Sequence, residues 1–488
     1  MSEVSPVRVA GDAAFLEIVS DSRGDVRGKC FVCMPEASVD THKFLSEVAL
    51  KGAVAAIVYN DEGFDKAVDL GMTAVQFDPD LISFNHSLGL VCRELYSDPS
   101  LDMRIIGITG TNGKTTCAWM LRQALRGLGR EAAYLGTLGY QGAGELEELP
   151  NTTPFPADLW ALIHRARLEG ISDLVMEVSS HALHQNRVAG VRFNIGVFTN
   201  LSQDHLDYHK TIEEYAEAKK LLFTAAYDDP FVAVINADDL VGSYWLSEWE
   251  QSSIAPGYVS YGFERGTLRG EVLAVEFDQL AIKVNEQEVL VGVGGSFNAS
   301  NALTVFATLH SIGVEPKDAA EAMRSVTAVP GRFEAVASDS GVGVIVDYAH
   351  TPDALDKLLS SAKELDHKKL ICVFGCGGDR DATKRPQMAE IATRLADRTV
   401  LTSDNPRTED PAKILQDIER GVTAGSDFVV VPDRREAIAQ AIAEAESGDL
   451  VVIAGKGHET YQIIGRTKTD FDDRQVAREA LAKRGVPK

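Results

Sequence analysis

Positive charge is what this chain lacks most for its size. Its 488 residues hold 48 lysines and arginines against 72 aspartates and glutamates, a formal net charge of −24 at pH 7. So acidic a surface repels phosphate backbones and anionic lipid, which sets nucleic-acid and membrane-surface partners aside; one local basic pocket can still hold a small anion. Long apolar runs are missing as well. No stretch reaches the ~18 residues of a membrane span, and the opening "MSEVSPVRVAGDAAF" does not read as a signal peptide, so a cytoplasmic location is expected. Cysteine is scarce, with six in all. Cys30 and Cys33 form a C-x-x-C, but they flank Phe31 and Val32 in an apolar run with no second pair nearby. That reads as reduced structural thiols rather than a metal or redox motif.

What is present is an ordinary globular composition, 45% hydrophobic and 25% charged, too apolar for disorder. The length suggests about three domains on a prior of ~150 residues each. Residues 1–100 read as a small mixed α/β domain, and "YSDPSLDM" (96–103) as its boundary. From 101 to 330, short apolar strands ("RIIGITG", "SDLVMEVSS", "FNIGVFTN", "FVAVINADD") alternate with helical stretches such as 157–169 and 213–226. This is the pattern of a mostly parallel sheet with helices on both faces. A second such cycle, Rossmann-like, fills 331–488 with "GVIVDYAH", "KLICVFGCGGD", "RTVLTSDNPR", "FVVVPDRRE" and "DLVVIAGKGHE". In both cycles the chemically loaded residues follow the apolar run, at the strand ends where open parallel sheets bind ligands.

The most specific local signal is "GITGTNGKTT" (107–116), a strand running through a glycine-rich turn into the helical stretch "CAWMLRQALRGL". Gly110 and Gly113 let the backbone N–H groups of Thr111 and Asn112 close on phosphate oxygens at a helix N-terminus. Lys114 supplies a point charge, Thr115 a hydroxyl for Mg²⁺, and Thr116 continues the turn. The spacing departs from the commonest phosphate loop: Ile108, not glycine, stands five before Gly113. The bland alternative is a glycine turn without nucleotide.

G-T-N-G-K-T-T resembles the form of this loop in the Mur ligase family, and the resemblance covers most of the chain. "MEVSSHAL" (176–183), "TNLSQDHLDYH" (199–209), "NADD" (236–239), "GSFNASN", "PGRFE", "VDYAHTPDAL", "GCGGDRDATKRP", "SDNPRTEDP" and "AGKGHE" follow in the family's order. The set is most similar to the branch that adds the third residue of the peptidoglycan stem peptide. The resemblance implies an ATP-dependent amide ligase. ATP phosphorylates the terminal carboxylate of UDP-N-acetylmuramoyl-L-Ala-D-Glu, and an amine attacks the acyl phosphate. Bringing two anions together calls for metal ions.

The resemblance also implies roles residue by residue. Glu177 joins Thr115 on Mg²⁺, and His205 helps to hold a second Mg²⁺. His205 is by type a poor ligand for that ion, and Lys219 is none. Lys219 matches a lysine that this branch converts with CO₂ into a carbamate, an anionic oxygen donor; Lys220 stands beside it, and without the family both read as a solvated helix face. Asn298 and Asn301 match adenine contacts, with helix capping as the alternative. Arg332 and Asp347 match contacts to phosphate and ribose. Ser20, Ser22 and Arg23 match the uridine diphosphate site; Asn151, Thr152, Thr153, Ser179, Gln185 and Arg187 match the acceptor site. The family's D-G-H stretch is here "MPEASVDTHKF", with Thr41 in place of glycine between Asp40 and His42. The C-terminal domain is expected to close through a hinge near 329–331.

The incoming amine is either L-lysine or meso-diaminopimelate, which adds one carboxylate beside the distal amine. An arginine fork recognises that carboxylate. Asp404, Asn405, Pro406 and Arg407 spell D-N-P-R, the form in diaminopimelate-adding members; Arg380, Gly455 and Glu459 complete the matched pocket, Glu459 pairing with an ammonium. The partners implied are small molecules and the expected state a monomer. A lysine-adding relative, a ligase like folylpolyglutamate synthetase, and a phosphate-loop switch that ligates nothing are the alternatives.

Overall fold

The computed structural model describes residues 6–35, 39–224, 231–252, 255–336 and 340–484. The chain forms two compact units, one of residues 1–269 and 304–319, the other of 270–303 and 320–488. Among the described residues no helix is long and apolar enough to cross a membrane.

The first unit carries two sheets. One has five strands in the order Arg8–Ala10, Thr73–Gln76, Ala55–Val58, Cys30–Val32, Ile18–Val19, parallel except for the first. Every residue of Cys30–Val32 and Ala55–Val58 is buried, as strands covered on both faces require. Cys30 packs into one hydrophobic core and Cys33 into another, and all six cysteines are free and buried. Burial pushes the Cys33 thiol up to about 12, so the C-x-x-C presents no thiolate. In the "MPEASVDTHKF" stretch residues 36–38 lie outside the described residues; beyond them Asp40 caps the turn Thr41–Phe44 and holds His42 Nδ1 at 2.8 Å.

The second sheet of this unit runs Gly257–Gly262, Val232–Asn236, Ile195–Phe198, Arg104–Thr109, Asp173–Glu177, Ala132–Gly136, Gly139–Gln141, parallel except for the last. The 157–169 stretch forms the helix Pro156–Leu168. Proline suits its first turn, and Gly170, at φ +74°, ends it. The 213–226 stretch is the helix Ile212–Thr224; residues 225 and 226 lie outside the described residues. Register decides where the loops fall. Ile108 pairs with Glu177 and Phe198 with Thr109, so three loops leave the same edge side by side.

In the second unit one six-stranded sheet runs Glu334–Ala335, Gly343–Asp347, Leu450–Ala454, Leu370–Phe374, Arg398–Leu401, Phe428–Val430, parallel except for the first. Asp347 and Phe374 both pair with Ala454, and Phe374 also pairs with Leu401. "DYAH", "GCGG", "TSDNPR" and "GKGHE" therefore begin at one level of one edge. The fold is the mixed α/β architecture with mostly parallel sheets that the strand pattern implies.

Candidate functional site

At the edge of the first unit's larger sheet, Gly113 (φ +85°) caps the helix Lys114–Gly127. Thr199, from the neighbouring strand end, donates through Oγ1 to Asn112 O at 2.7 Å, and Asn112 N–H donates to Asn200 Oδ1 at 3.0 Å. A Cβ at Gly110 would come within 1.9 Å of Thr199 Oγ1, so only glycine lets the two loops meet. Lys114 Nζ donates to the carbonyls of Gly110 and Thr111, each at 2.9 Å, so its ammonium lies within the loop.

Glu177 is fully buried at the end of its strand. Its Oε1 accepts from Tyr134 OH at 2.5 Å and Thr137 N–H at 2.9 Å; its Oε2 accepts from Thr115 Oγ1 at 2.9 Å and Thr137 Oγ1 at 3.2 Å. Thr115 and Glu177, which the resemblance puts on one Mg²⁺, are hydrogen-bonded to each other, and Tyr134 and Thr137 are supporting residues the sequence reading missed. Three residues expected at the acceptor site lie beside the end of the Glu177 strand rather than on the carboxylate. Thr153 Oγ1 donates to Glu177 O and accepts from Ser179 N–H, while Thr152 Oγ1 lies 3.1 Å from Thr137 Oγ1. Arg187 donates to Gln185 Oε1 and Thr153 O and lies over the Phe155 ring; burial lowers its pKa. Elsewhere in the unit, Ser20 Oγ donates to Asp158, Ser22 is buried, and Arg23 pairs with Asp21 in solvent. Asn151 is half-buried, with no side-chain bond among those described.

Lys219 corrects the solvated-face reading. Its side chain is 1% exposed, whereas the neighbouring Lys220 pairs with Glu248 at 2.7 Å. Lys219 Nζ donates to Gly110 O at 2.8 Å, the carbonyl Lys114 also uses, and sits 4.2 Å from the Tyr215 ring centre. Burial first, and the Lys114 charge second, hold its pKa well below the usual lysine range. His205, at φ +52°, is exposed beside Asp204. Four residues on, His209 is instead buried against Ser180 Oγ at 2.9 Å.

Among the described residues no group of three or more His, Cys, Asp and Glu could hold a metal. Mg²⁺ is usually held by one or two carboxylates with substrate phosphates and water rather than by a protein cage. The hard oxygens of Thr115 and Glu177 beside a phosphate loop fit such an ion.

In the second unit, Asn298 Nδ2 donates to Gly294 O and Asn301 Nδ2 to Asn298 Oδ1, both side chains buried. Asp347 accepts the N–H groups of Phe333 and Ala349, and burial raises its pKa. Arg332 lies over the Tyr348 ring at 4.7 Å, with its Nε buried and unpaired among the described residues. Arg407 sits half-buried at φ +51°, its Nη1 donating to Gly378 O at 2.9 Å. Asp404, Asn405 and Pro406 are buried, and Asn405 Nδ2 donates to Glu459 Oε2 at 2.8 Å. At Gly455 (φ +119°), a Cβ would lie 3.2 Å from Asp404 Oδ2. Arg380 is exposed and, among the described residues, hydrogen-bonds only Asp379 O, at 3.4 Å, apart from this network. Lys456, which the sequence reading passed over, is fully buried among Asp404, Asn405 and Glu459.

Residues 108–309 match the Mur ligase middle domain, and residues 331–457 the Mur ligase, glutamate ligase domain. A relative from Geobacillus thermodenitrificans is 40% identical, with 98% of this chain and 97% of the relative covered. The chain belongs to the Mur ligase family. A Mur ligase relative from Synechococcus elongatus is 42% identical, covering 99% of this chain and 97% of the relative. Both relatives bear the name UDP-N-acetylmuramoyl-L-alanyl-D-glutamate–2,6-diaminopimelate ligase. A solved structure of an enzyme with that name aligns at TM-score 0.66 and 32% identity, over 96% of this chain and 95% of the other. At 18% identity, the MurF ligase from Thermotoga maritima in complex with ADP shares the fold at TM-score 0.63, over 96% and 98% of the two chains.

Proposed function

We propose that this Mur ligase is an ATP-dependent amide ligase that joins meso-diaminopimelate to UDP-N-acetylmuramoyl-L-Ala-D-Glu through an acyl phosphate. The observation that carries the substrate is Arg407, whose guanidinium is steadied at Gly378 O on the same sheet edge as Asp404 and Glu459. An arginine and a carboxylate set together suit a distal carbon bearing both a carboxylate and an ammonium. The names of the 40–42% identical relatives support the same substrate.

The chain's residues divide the work. Gly110 to Thr116 receive the ATP phosphates at the helix N-terminus, and Lys114 turns from the loop carbonyls to the phosphates. Asn298 and Asn301 take the adenine end, and Arg332 and Asp347 the phosphate and ribose. Ser20 and Ser22 serve the uridine diphosphate; Asn151, Thr152, Thr153, Ser179, Gln185 and Arg187 orient the dipeptide. Asp404 to Arg407, Gly455, Glu459 and, more remotely, Arg380 serve the incoming amino acid. Thr115 and Glu177 would hold one Mg²⁺, and His205 with a carbamate on Lys219 a second. Bound there, Mg²⁺ neutralises the charge of the carboxylate and triphosphate that must meet. The burial of Lys219 and its lowered pKa support carbamylation, since only an unprotonated amine adds to CO₂.

The test is phosphate release assayed with ATP, the UDP-dipeptide and either amino acid. Release that needs both the dipeptide and diaminopimelate is expected; release indifferent to them would leave only an ATP switch.

A further inference from the structure

Lys456 has no role in the account above, yet its side chain is 0% exposed. A buried ammonium persists only where charges and acceptors replace its water. Here Glu459 Oε2 accepts from it at 3.0 Å and Asn405 Oδ1 at 3.2 Å, while Asp404 Oδ1 lies at 3.6 Å. All three belong to the two motifs proposed to hold the amino acid. The connection continues beyond Asn405, whose Oδ1 also accepts the Ile463 N–H at 2.9 Å. Arg407 N–H donates to Ile463 O at 3.1 Å, and Arg407 O accepts from Gly465 N–H at 2.7 Å. Those bonds hold Arg407 in its left-handed conformation. One ammonium thus anchors the Glu459 carboxylate directly and the Arg407 backbone through Asn405 and the hairpin formed by Tyr461–Ile464 and Thr467–Asp470.

Charge points the same way. Lys456 carries one positive charge between the two carboxylates of Asp404 and Glu459, and Asp404 Oδ1 has no hydrogen-bond donor among the described residues. The cluster keeps one negative charge, the complement of one substrate ammonium.

We propose that Lys456 is the positioning residue of the amino-acid site. It fixes the separation between the Glu459 carboxylate and the Arg407 guanidinium, so that the site reads an ammonium and a carboxylate carried on one carbon. This rests on the diaminopimelate reading above. A merely structural buried cation would affect stability and leave the choice of amino acid alone.

The test is Lys456→Met, which keeps an unbranched chain of similar length without charge. KM for diaminopimelate should rise at least about tenfold, with KM for ATP and the UDP-dipeptide within about twofold. The preference for diaminopimelate over lysine should fall at least about tenfold as Arg407 loses its anchor. Unchanged preference and KM would overturn the proposal. If Lys456→Met does not fold, Glu459→Gln is compared with the doubly neutral Lys456→Met, Glu459→Gln. Positioning requires a further tenfold or greater loss of preference in the double variant; equal preference in the two overturns it. If the unaltered enzyme shows no preference for diaminopimelate, the functional reading falls together with this one. If it does and Lys456→Met retains that preference, only the positioning role falls.

Discussion

Truncating Arg407 to alanine should cost this enzyme its choice of amino acid while leaving its handling of ATP intact. The guanidinium is half-buried, with one of its donors committed to Gly378 O at 2.9 Å and the others available to a carboxylate. Removing one partner of a fully buried hydrogen-bonded charge pair costs about 2–5 kcal/mol. Half-burial places this case at the lower end, about 2–3 kcal/mol, which is roughly a 30- to 150-fold loss in the kcat/KM ratio of diaminopimelate to lysine. The backbone supplies an internal control. Arg407 stands at φ +51°, a conformation costing a non-glycine residue about 1–2 kcal/mol. Arg407→Gly should therefore lose the same discrimination as Arg407→Ala yet be the more stable of the two by about 1 kcal/mol. Arg407→Lys keeps the charge but not the fork and should fall between wild type and alanine. Steady-state phosphate release with each amino acid, and thermal melts of the three variants, measure all of this. An alanine variant that keeps its preference within about threefold would refute the reasoning.

Other consequences concern the first unit. Lys219→Met should abolish ligation yet raise heat stability at pH 7, because it removes a buried amine whose protonation is suppressed; unchanged kcat would remove Lys219 from the mechanism. Glu177→Gln replaces an acceptor of four donors with an amide that can satisfy only part of them, and should lower kcat by about 10²–10³-fold. Mg²⁺ titration of activity would show whether the defect lies in metal use. Burial, then the neighbouring histidines and Lys219, lower the His209 pKa to about 4. The unfolded chain therefore binds more protons than the folded one between about pH 6.5 and 4. Stability should fall across that window as pH drops, by at most about 3 kcal/mol, and a His209→Gln variant should show a shallower slope in pH-dependent melts.

Strand ends were the legible part of this chain. An apolar run followed by a loaded loop is a local pattern, and parallel register then brings "GTNGKTT" beside Glu177, and "DNPR" and "GKGHE" to either side of "GCGG". What needed three dimensions was the inward side of each element. Lys219 and Lys220 look alike in sequence, and only the packing of the helix Ile212–Thr224 buries one and pairs the other at the surface. Tyr134 and Thr137 reach Glu177 from the strand Ala132–Gly136 and the turn after it, three elements earlier, a separation no spacing rule spans. Lys456 was hidden among glycines that drew attention to the backbone, and Arg380, matched by motif, lies exposed. Asn405 was legible only as part of a matched motif; its bonds to Lys456, Glu459 and Ile463 join residues up to 58 positions apart.

The most direct test of the central claim is the product itself. The enzyme, incubated with ATP, Mg²⁺, UDP-N-acetylmuramoyl-L-Ala-D-Glu and an equimolar mixture of meso-diaminopimelate and L-lysine, should release one phosphate per tripeptide formed. Mass spectrometry should find that tripeptide overwhelmingly as the diaminopimelate product. A lysine product in comparable amount, or phosphate released without any tripeptide, would contradict the account.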